Sequence, residues 1–296
     1  MKPSAYGPFE FSRIDCRPRL EWPNKARVAF WVVVNVEFFA LDRPMPGDSG
    51  ERPKAGDATP QVRNWSQRDY GNRVGFARLR DVLSAHGIRA TVALNSDVCD
   101  YHPELVSNCV DVGWELMGHC RTNTARLNEI PADHERDTIR YVMDRIEKAS
   151  GKRPVGWLGA GLQETWNTLD YLAEAGCRYV ADWVNDDQPY EMQLGTSKMI
   201  SVPYTYELND MSAIVRSKYS AAEFECMIKD QFDVLYEEGA SSGRVFTLSL
   251  HPFIMGQPHR IPALRRALDY IDKFDGVWKV TGSEIAAHFA QTQATG

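Results

Sequence analysis

The chain lacks several features that would assign it to a common functional class. Among its 296 residues, 34 Lys and Arg stand against 40 Asp and Glu, so the formal net charge is −6 with neutral histidines. No run of Lys and Arg stands out, and a mildly acidic protein has no global field that attracts phosphate backbones. We therefore expect neither a nucleic acid nor an anionic membrane surface as a partner.

Cysteine motifs and long apolar runs are also missing. The 6 cysteines are far apart, with no CxxC or CxxH pair, so their spacing predicts neither a zinc ribbon nor a redox motif. The longest apolar run, residues 28–40, is interrupted by Asn35 and Glu37 and is too short to span a bilayer as a helix. The N-terminal residues lack the continuous apolar core of a signal peptide. These absences favour a cytoplasmic protein with reduced thiols.

The sequence instead contains a regular alternation of short β-branched or aromatic runs with longer stretches of helical periodicity. Repeated strand–helix units without a break in composition indicate a parallel sheet covered by helices. About seven or eight such units are typical of a closed barrel, so we expect an α/β fold, a single distorted, TIM-like (β/α) barrel. The predicted strands are 28–36, 89–95, 114–118, 155–159, 178–183, 199–204, 245–251 and 277–280, and the predicted helices are 72–85, 131–149, 165–175, 221–238, 261–273 and 283–290.

Polar side chains end several predicted strands, and the carboxyl ends of barrel strands meet at one mouth where active sites lie. Glu37 follows the first strand and could bind a metal, act as a general base or sit in water. His119 follows the third strand, and Asn123 lies four positions later, where one helical turn places both on one side. His251 closes an apolar strand and could be a general acid or a structural histidine.

Other residues are candidates for contact with a substrate. Arg73 could pair with an anionic substrate or a developing oxyanion, or form a surface salt bridge on its helix. Trp157 and Trp183 could form aromatic walls, although core packing also explains both. Asp182 ends a strand and could orient His251 or contact polar groups of the substrate.

Two long irregular stretches, residues 41–69 and 185–198, each follow a predicted strand. Structureless loops of this length are usually functional covers, so we expect them to shape the pocket. Desolvation of Glu37 under the first loop is expected to raise its pKa towards a value suited to a base.

Taken in order, these segments resemble the polysaccharide deacetylase superfamily, the chitooligosaccharide-deacetylase-like carbohydrate esterases. The resemblance covers residues 26–289, where the matching motifs lie around Glu37, His119, Asp182 and His251 and at residues 153–157. It implies a distorted (β/α) barrel that hydrolyses carbon–nitrogen bonds other than peptide bonds, most often by removing N-acetyl groups. It also implies that Arg153 braces the acids of the pocket.

Departures from the family pattern concern the metal. Metal-dependent members carry two acids at the first motif and a His-x-x-x-His pair at the second. In this chain Asn35 stands at the base position, Glu37 at the metal-acid position and Asn123 at the second histidine. Asn35 cannot accept a proton, which leaves it as a substrate-binding candidate, and an amide oxygen is a weaker zinc ligand than imidazole. We therefore expect no cofactor, or a divalent metal such as zinc held weakly by Glu37, His119 and Asn123.

Residues 68–75 and the chain length are similar to an intracellular branch that contains metal-independent allantoinases and related cyclic amide hydrolases. This resemblance implies hydrolysis of a small cyclic amide, imide or ureide, with Glu37 activating water, His119 positioning water or the carbonyl, and His251 protonating the leaving nitrogen. Two alternatives stay open, a metal-dependent N-deacetylase of N-acetylated sugars and a non-catalytic member that binds its ligand without turnover.

The branch is generally oligomeric and often tetrameric, so the resemblance implies a homo-oligomer. We expect residues 1–25 to form an N-terminal arm and residues 26–296 to form the barrel domain. The arm could pack on a neighbouring subunit or fold over its own barrel.

Overall fold

The structure is a computed structural model that describes residues 3–47, 51–54, 56–195 and 197–295. Its strands are β1 (Val28–Val36), β2 (Thr91–Leu94), β3 (Glu115–Gly118), β4 (Gly156–Trp157), β5 (Tyr179–Val180), β6 (Tyr190–Leu194), β7 (Ser197–Ser201), β8 (Arg244–Leu250) and β9 (Val277–Val280). Its α-helices are α1 (Val62–Tyr70), α2 (Phe76–Ala85), α3 (Val98–Tyr101), α4 (Pro103–Asp111), α5 (Glu135–Ser150), α6 (Thr168–Glu174), α7 (Ala221–Glu238), α8 (Pro252–Met255), α9 (Ile261–Ile271) and α10 (Gly282–Thr295). Turns of π-helix cover Gly71–Gly75 and Met211–Arg216, and 3₁₀ turns cover Ile14–Cys16, Pro23–Lys25, Leu127–Glu129, Ala132–His134 and Ala160–Leu162.

The strands of the described residues form one sheet in the order β6-β7-β5-β4-β3-β2-β1-β8, with β9 paired to β1. The pairs are parallel except for β6 with β7, which confirms the α/β class. The ladder does not close into a ring in this part of the chain. Irregular segments lie along the free edge of β8, where Val245 N donates to Asp187 O (2.8 Å) and Ser249 N donates to Leu208 O (3.0 Å).

Strand β1 explains why two of the predicted site residues share one face. Every residue of β1 is buried, as expected for a parallel strand covered on both faces. Val28, Phe30 and alternate residues after them pack towards the helices, whereas Ala29, Trp31 and Val33 belong to a second cluster inside the curved sheet. Because side chains alternate along a strand, Asn35 and then Glu37 continue the inner face.

The two predicted loops contain regular structure that the sequence reading missed. The stretch 185–198 includes β6, which pairs antiparallel with β7 as a hairpin. The stretch 41–69 ends in α1, so the helix predicted over 72–85 begins instead at Val62 and continues through a π-helical turn.

That π-helical turn packs closely against the chain that follows β8. A Cβ atom on Gly71 would lie 2.6 Å from Phe253 N, and one on Gly75 would lie 2.0 Å from Pro252 O. Only glycine permits such an approach between two backbones. The contact fixes the start of α8, immediately after His251.

The N-terminal residues contact their own barrel at both edges of the sheet. Gln193 N of β6 donates to Pro8 O (2.6 Å), and Gly243 N, beside β8, donates to Leu20 O (2.8 Å). The Trp22 indole donates to Arg244 O at 2.9 Å. Of the two packings expected for the arm, the structure therefore contains the one over its own barrel. No helix in the described ranges combines the length and apolar character needed to cross a membrane.

Candidate active site

A cavity of about 130 Å³ lies at the carboxyl ends of the central strands. It brings together residues far apart in sequence, and the strand-end logic therefore located the mouth correctly. The sequence-predicted residues in its lining are Asn35, Glu37, His119, Asn123 and His251.

Glu37 is the buried acid that both histidines face. His251 Nε2 lies 3.5 Å and His119 Nε2 lies 3.8 Å from Glu37 Oε1. The second oxygen, Oε2, is buried and has no hydrogen-bond partner among the described residues. Burial by itself would raise the pKa of Glu37, but His251 and His119 outweigh it and lower the pKa to about 2. The expected upward shift was wrong, because reading the sequence accounted for desolvation and not for two neighbouring imidazoles.

His251 is held by an acid that the sequence analysis did not identify. Asp210 Oδ1 lies 2.7 Å from His251 Nδ1, and Asp210 Oδ2 accepts the backbone N–H of His251 at 2.8 Å. Burial would lower the pKa of His251, but Asp210 and Glu37 raise it to about 10. At neutral pH His251 is therefore an imidazolium whose Nε2–H points towards Glu37. Asp210 lies 41 residues earlier, directly before the π-helical turn Met211–Arg216, and no local pattern marks it.

His119 is fixed by the carbonyl of Leu158, which lies 2.6 Å from Nδ1. A carbonyl oxygen can only accept, so Nδ1 carries the hydrogen and Nε2 is the atom presented to Glu37. Gly118 makes this placement possible, since a Cβ there would lie 2.7 Å from the ring of Trp157.

A chain of amides sets the orientation of Asn123. Asn95 Oδ1 accepts from Phe38 N (2.9 Å), so its Nδ2 donates to the His119 carbonyl and to Asn123 Oδ1 (3.3 Å). The oxygen of Asn123 is thereby engaged, and its Nδ2 donates to Glu37 Oε1. Asn123 thus offers the acid a donor rather than a ligand oxygen.

The metal site expected from Glu37, His119 and Asn123 does not fit this donor set. An amide N–H has no lone pair for a cation, and the two remaining donors are fewer than a zinc site requires. No group of three or more His, Cys, Asp or Glu side chains in the described part of the chain could hold a metal ion.

Asn35 lines the cavity but is also bound into its wall. Its Nδ2 donates to Ser249 Oγ (3.0 Å) and to Leu250 O (3.3 Å), while the Tyr204 hydroxyl hydrogen-bonds to the same serine. These bonds tie the end of β1 to the end of β8. Asn72 adds a further tie, because its Nδ2 donates to Glu37 O at 2.9 Å.

The sequence suggested that Asp182 could orient His251, and the structure shows that it does not. Asp182 lies behind the wall that Gly159 forms. Its Oδ1 accepts from Gly159 N at 2.6 Å. Burial raises the pKa of Asp182 to about 6, and burial and the charge of Asp182 raise that of Glu164 well above its ordinary value. The two carboxyls interact, and this interaction raises the pKa of Glu164 and lowers that of Asp182. Trp183 joins this group through its indole N–H, 3.1 Å from Glu164 Oε1.

Four other predicted residues lie outside the cavity lining. Arg73 has a largely exposed side chain 3.9 Å from Asp69, which is the surface salt bridge considered as its alternative. Trp157 is completely buried in the core and Trp183 is half-buried behind the wall. Arg153 bonds to Asp144 and Glu147 of α5 instead of bracing the pocket acids.

Residues that the sequence analysis missed also line the cavity, in particular Arg52, Arg68, Arg126, Tyr204 and Arg216. All belong to irregular segments or to helix faces whose orientation no periodicity indicated.

Comparison with known proteins gives a consistent result. The family model described as polysaccharide deacetylase matches residues 65–180. A putative polysaccharide deacetylase of Schizosaccharomyces pombe is 27% identical over 299 residues, covering 92% of each chain. The crystal structure of Puue allantoinase is similar with a TM-score of 0.84 and 26% identity, covering 93% of this chain and 94% of that one. The crystal structure of a probable polysaccharide deacetylase from Pseudomonas aeruginosa PAO1 is similar with a TM-score of 0.85 and 27% identity, covering 93% of this chain and 95% of that one.

Proposed function

We propose that this chain, a member of the polysaccharide deacetylase family, hydrolyses a carbon–nitrogen bond of a small cyclic amide, imide or ureide. One observation carries the proposal. Asn123 donates to Glu37 Oε1 while Oε2 stays buried without a partner, so the acid offers one free oxygen to water rather than to a metal. The similarity to an allantoinase structure supports a cyclic ureide as one such substrate.

In the proposed reaction, Glu37 Oε2 binds the attacking water and accepts its proton as the water oxygen bonds to the substrate carbonyl carbon. His119 Nε2, fixed by Leu158 O, positions that water beside the carboxylate. His251 donates its Nε2 proton to the leaving nitrogen, the carbon–nitrogen bond breaks, and the ring opens to a carboxylic acid and a free N–H. The proton on the Glu37 carboxyl then returns to His251, whose Nε2 lies 3.5 Å from Oε1 of the same group.

The low pKa of Glu37 fits this sequence because it depends on the charge of its partner. While His251 is an imidazolium, its charge is a main cause that lowers the pKa of the carboxylate. Once His251 has given its proton away, burial becomes the dominant influence on Glu37 and raises its affinity for a proton. Loss of the proton from His251 and gain of a proton by Glu37 therefore favour each other.

The experiment is a turnover screen with allantoin, hydantoin, dihydrouracil and succinimide, with N-acetylglucosamine included for the deacetylase alternative. Ring opening is followed by NMR, with Glu37→Gln as the inactive control. Turnover of a cyclic compound by wild type supports the proposal. Release of acetate alone would contradict it in favour of deacetylation, and binding without any product would favour a non-catalytic member. The expected homo-oligomer and the cytoplasmic location stay predictions.

A further inference from the structure

Arginines surround the cavity in which the proposed chemistry would occur. Among the described residues of its lining, four are arginines, namely Arg52, Arg68, Arg126 and Arg216, and the acid is Glu37. Glu37 faces the imidazolium of His251, which also pairs with Asp210, and Arg52 pairs with Glu129. Arg126 and Arg216 form no ion pair with an acid of the described residues, so the lining carries uncompensated positive charge at these two side chains, although the chain as a whole is acidic.

Arg126 is the arginine of this set whose charge is most clearly left without an ion-pair partner among the described residues. Its guanidinium packs on Gly161, where a Cβ would lie 2.7 Å from Arg126 Cζ and where φ is +68°. The half-buried side chain forms no ion pair with an acid of the described residues. Burial lowers the pKa of Arg126, and the charges of Arg52 and Arg216 lower it as well, against an opposing effect of Glu129. The protein therefore compensates the positive charge of Arg126 only in part.

The partner of Arg216 fixes its position without cancelling its charge. Its Nη1 donates to the hydroxyl of Tyr206 at 2.8 Å, and the guanidinium lies 5.6 Å from the same ring. Arg68 is oriented by similar contacts, with its Cζ 5.0 Å from the ring of Phe39 and its Nη1 3.0 Å from Asn64 O. At Arg216 the aromatic face and the neutral acceptor orient the planar guanidinium and leave its other N–H groups for a ligand.

We infer that the cavity binds an anionic oxygen group of the substrate, a carboxylate or a phosphate, through Arg126 and Arg216. A guanidinium donates two parallel N–H bonds to such a group, and the pairing restores the charge balance that the lining lacks. The inference rests on the proposed function and narrows it to amides or ureides that carry a negative charge beside the ring that opens.

A binding experiment tests the anion site independently of turnover. Inorganic phosphate and succinate are titrated calorimetrically into wild type, Arg126→Gln and Arg216→Gln, with Arg140→Gln as the matched control on the outer face of α5. We expect one of the two anions to bind wild type and the control equally, and each cavity variant more than about tenfold more weakly. The tighter anion identifies the group. Absence of binding, or equal binding to all folded variants, would overturn the inference.

A turnover experiment then separates the anion site from the proposed function. Hydantoin-5-acetate and its neutral methyl ester are compared in wild type and Arg126→Gln. We expect kcat/KM for the acid to exceed that for the ester by about tenfold or more, and the ratio to fall in the variant. Anion binding without hydrolysis of any cyclic amide, imide or ureide would contradict the proposed function and still support the anion site. Hydrolysis without a preference for the acid would overturn the anion site alone.

Discussion

Two pairs of buried acids at the same end of the sheet differ in the charges that face them. Glu37 and Asp210 both face His251; the pKa of Glu37 falls to about 2, whereas burial outweighs His251 at Asp210 and raises its pKa. Asp182 and Glu164 face each other, with only a smaller effect of His119 on Asp182, and burial raises the pKa of Asp182 to about 6. Of these four buried acids only Glu37, which faces two imidazoles, has a lowered pKa, so the neighbouring charge decides whether burial prevails. The first pair is prepared for proton transfer, whereas the second supports the wall around Gly159.

The largest expected effect comes from removing the carboxylate of Glu37. Glu37→Gln keeps the shape of the side chain and the acceptor for Asn123 but cannot accept a proton. We expect kcat to fall by about 10²–10⁴-fold, measured by NMR on the best substrate of the screen. Glu191→Gln, at a surface pair with Lys198, is the control. Wild-type kcat in a folded Glu37→Gln variant would refute the assignment.

Removing the second acid of the same pair should change the pH dependence more than the rate. Activity requires ionised Glu37 and protonated His251, so wild type loses it as pH falls through about 2 or rises through about 10. Asp210→Asn removes the main charge that keeps His251 protonated, so the alkaline limb should move towards neutrality. The kcat/KM profile of the variant measures this. An unchanged alkaline limb would show that Asp210 only supports the loop.

The second pair, Asp182 and Glu164, should affect the stability of the fold instead of catalysis. The pKa of Asp182 is raised from 3.8 to about 6, so between these values the folded chain holds a proton that the unfolded chain releases. The free energy of unfolding should therefore fall as pH rises through that range. In Asp182→Asn, which keeps an acceptor for Gly159 N, the fall should be shallower in urea titrations, with Asp111→Asn as an exposed control. Equal slopes in wild type and variant would remove this distinction between the two pairs.

The smallest effect is expected from removing metal ions. Because Asn123 offers N–H and not oxygen to Glu37, exhaustive chelation should leave kcat unchanged. Elemental analysis of tag-free protein purified without chelator should find well under about one zinc per chain. If chelation abolished activity and added zinc restored it, the result would show that the Asn123 amide rotates so that its oxygen binds a metal.

Residues with a local signal could be predicted from the sequence. Glu37, His119 and His251 follow apolar strands, and strand ends meet at one mouth. Asp210 carried no such signal, because its pairing with His251 depends on how a loop crosses the β8 edge. Asp182, at the end of a predicted strand, was the candidate for that role instead.

The arginines show a second limit of sequence reading. Predicting a helix from residue 72 made Arg73 the candidate, but the helix begins at Val62 and brings Arg68 into the cavity. Arg68 and Asn72 are four residues apart and both reach the site, where Asn72 holds the Glu37 carbonyl. Periodicity alone could not show which face of an unrecognised helix turned inward.

The N-terminal arm has a consequence for how the open sheet behaves among other copies of itself. A sheet whose ladder does not close leaves two outer strands with peptide groups that could pair with another chain and lead to aggregation. The Pro8 carbonyl accepts a hydrogen bond from an N–H of β6, and Leu20 and Trp22 hydrogen-bond at the start of β8. The N-terminal arm therefore covers part of both edges of the sheet. The arm thereby gives a sheet that stays open among the described residues some of the protection against intermolecular strand pairing that a closed barrel has by geometry.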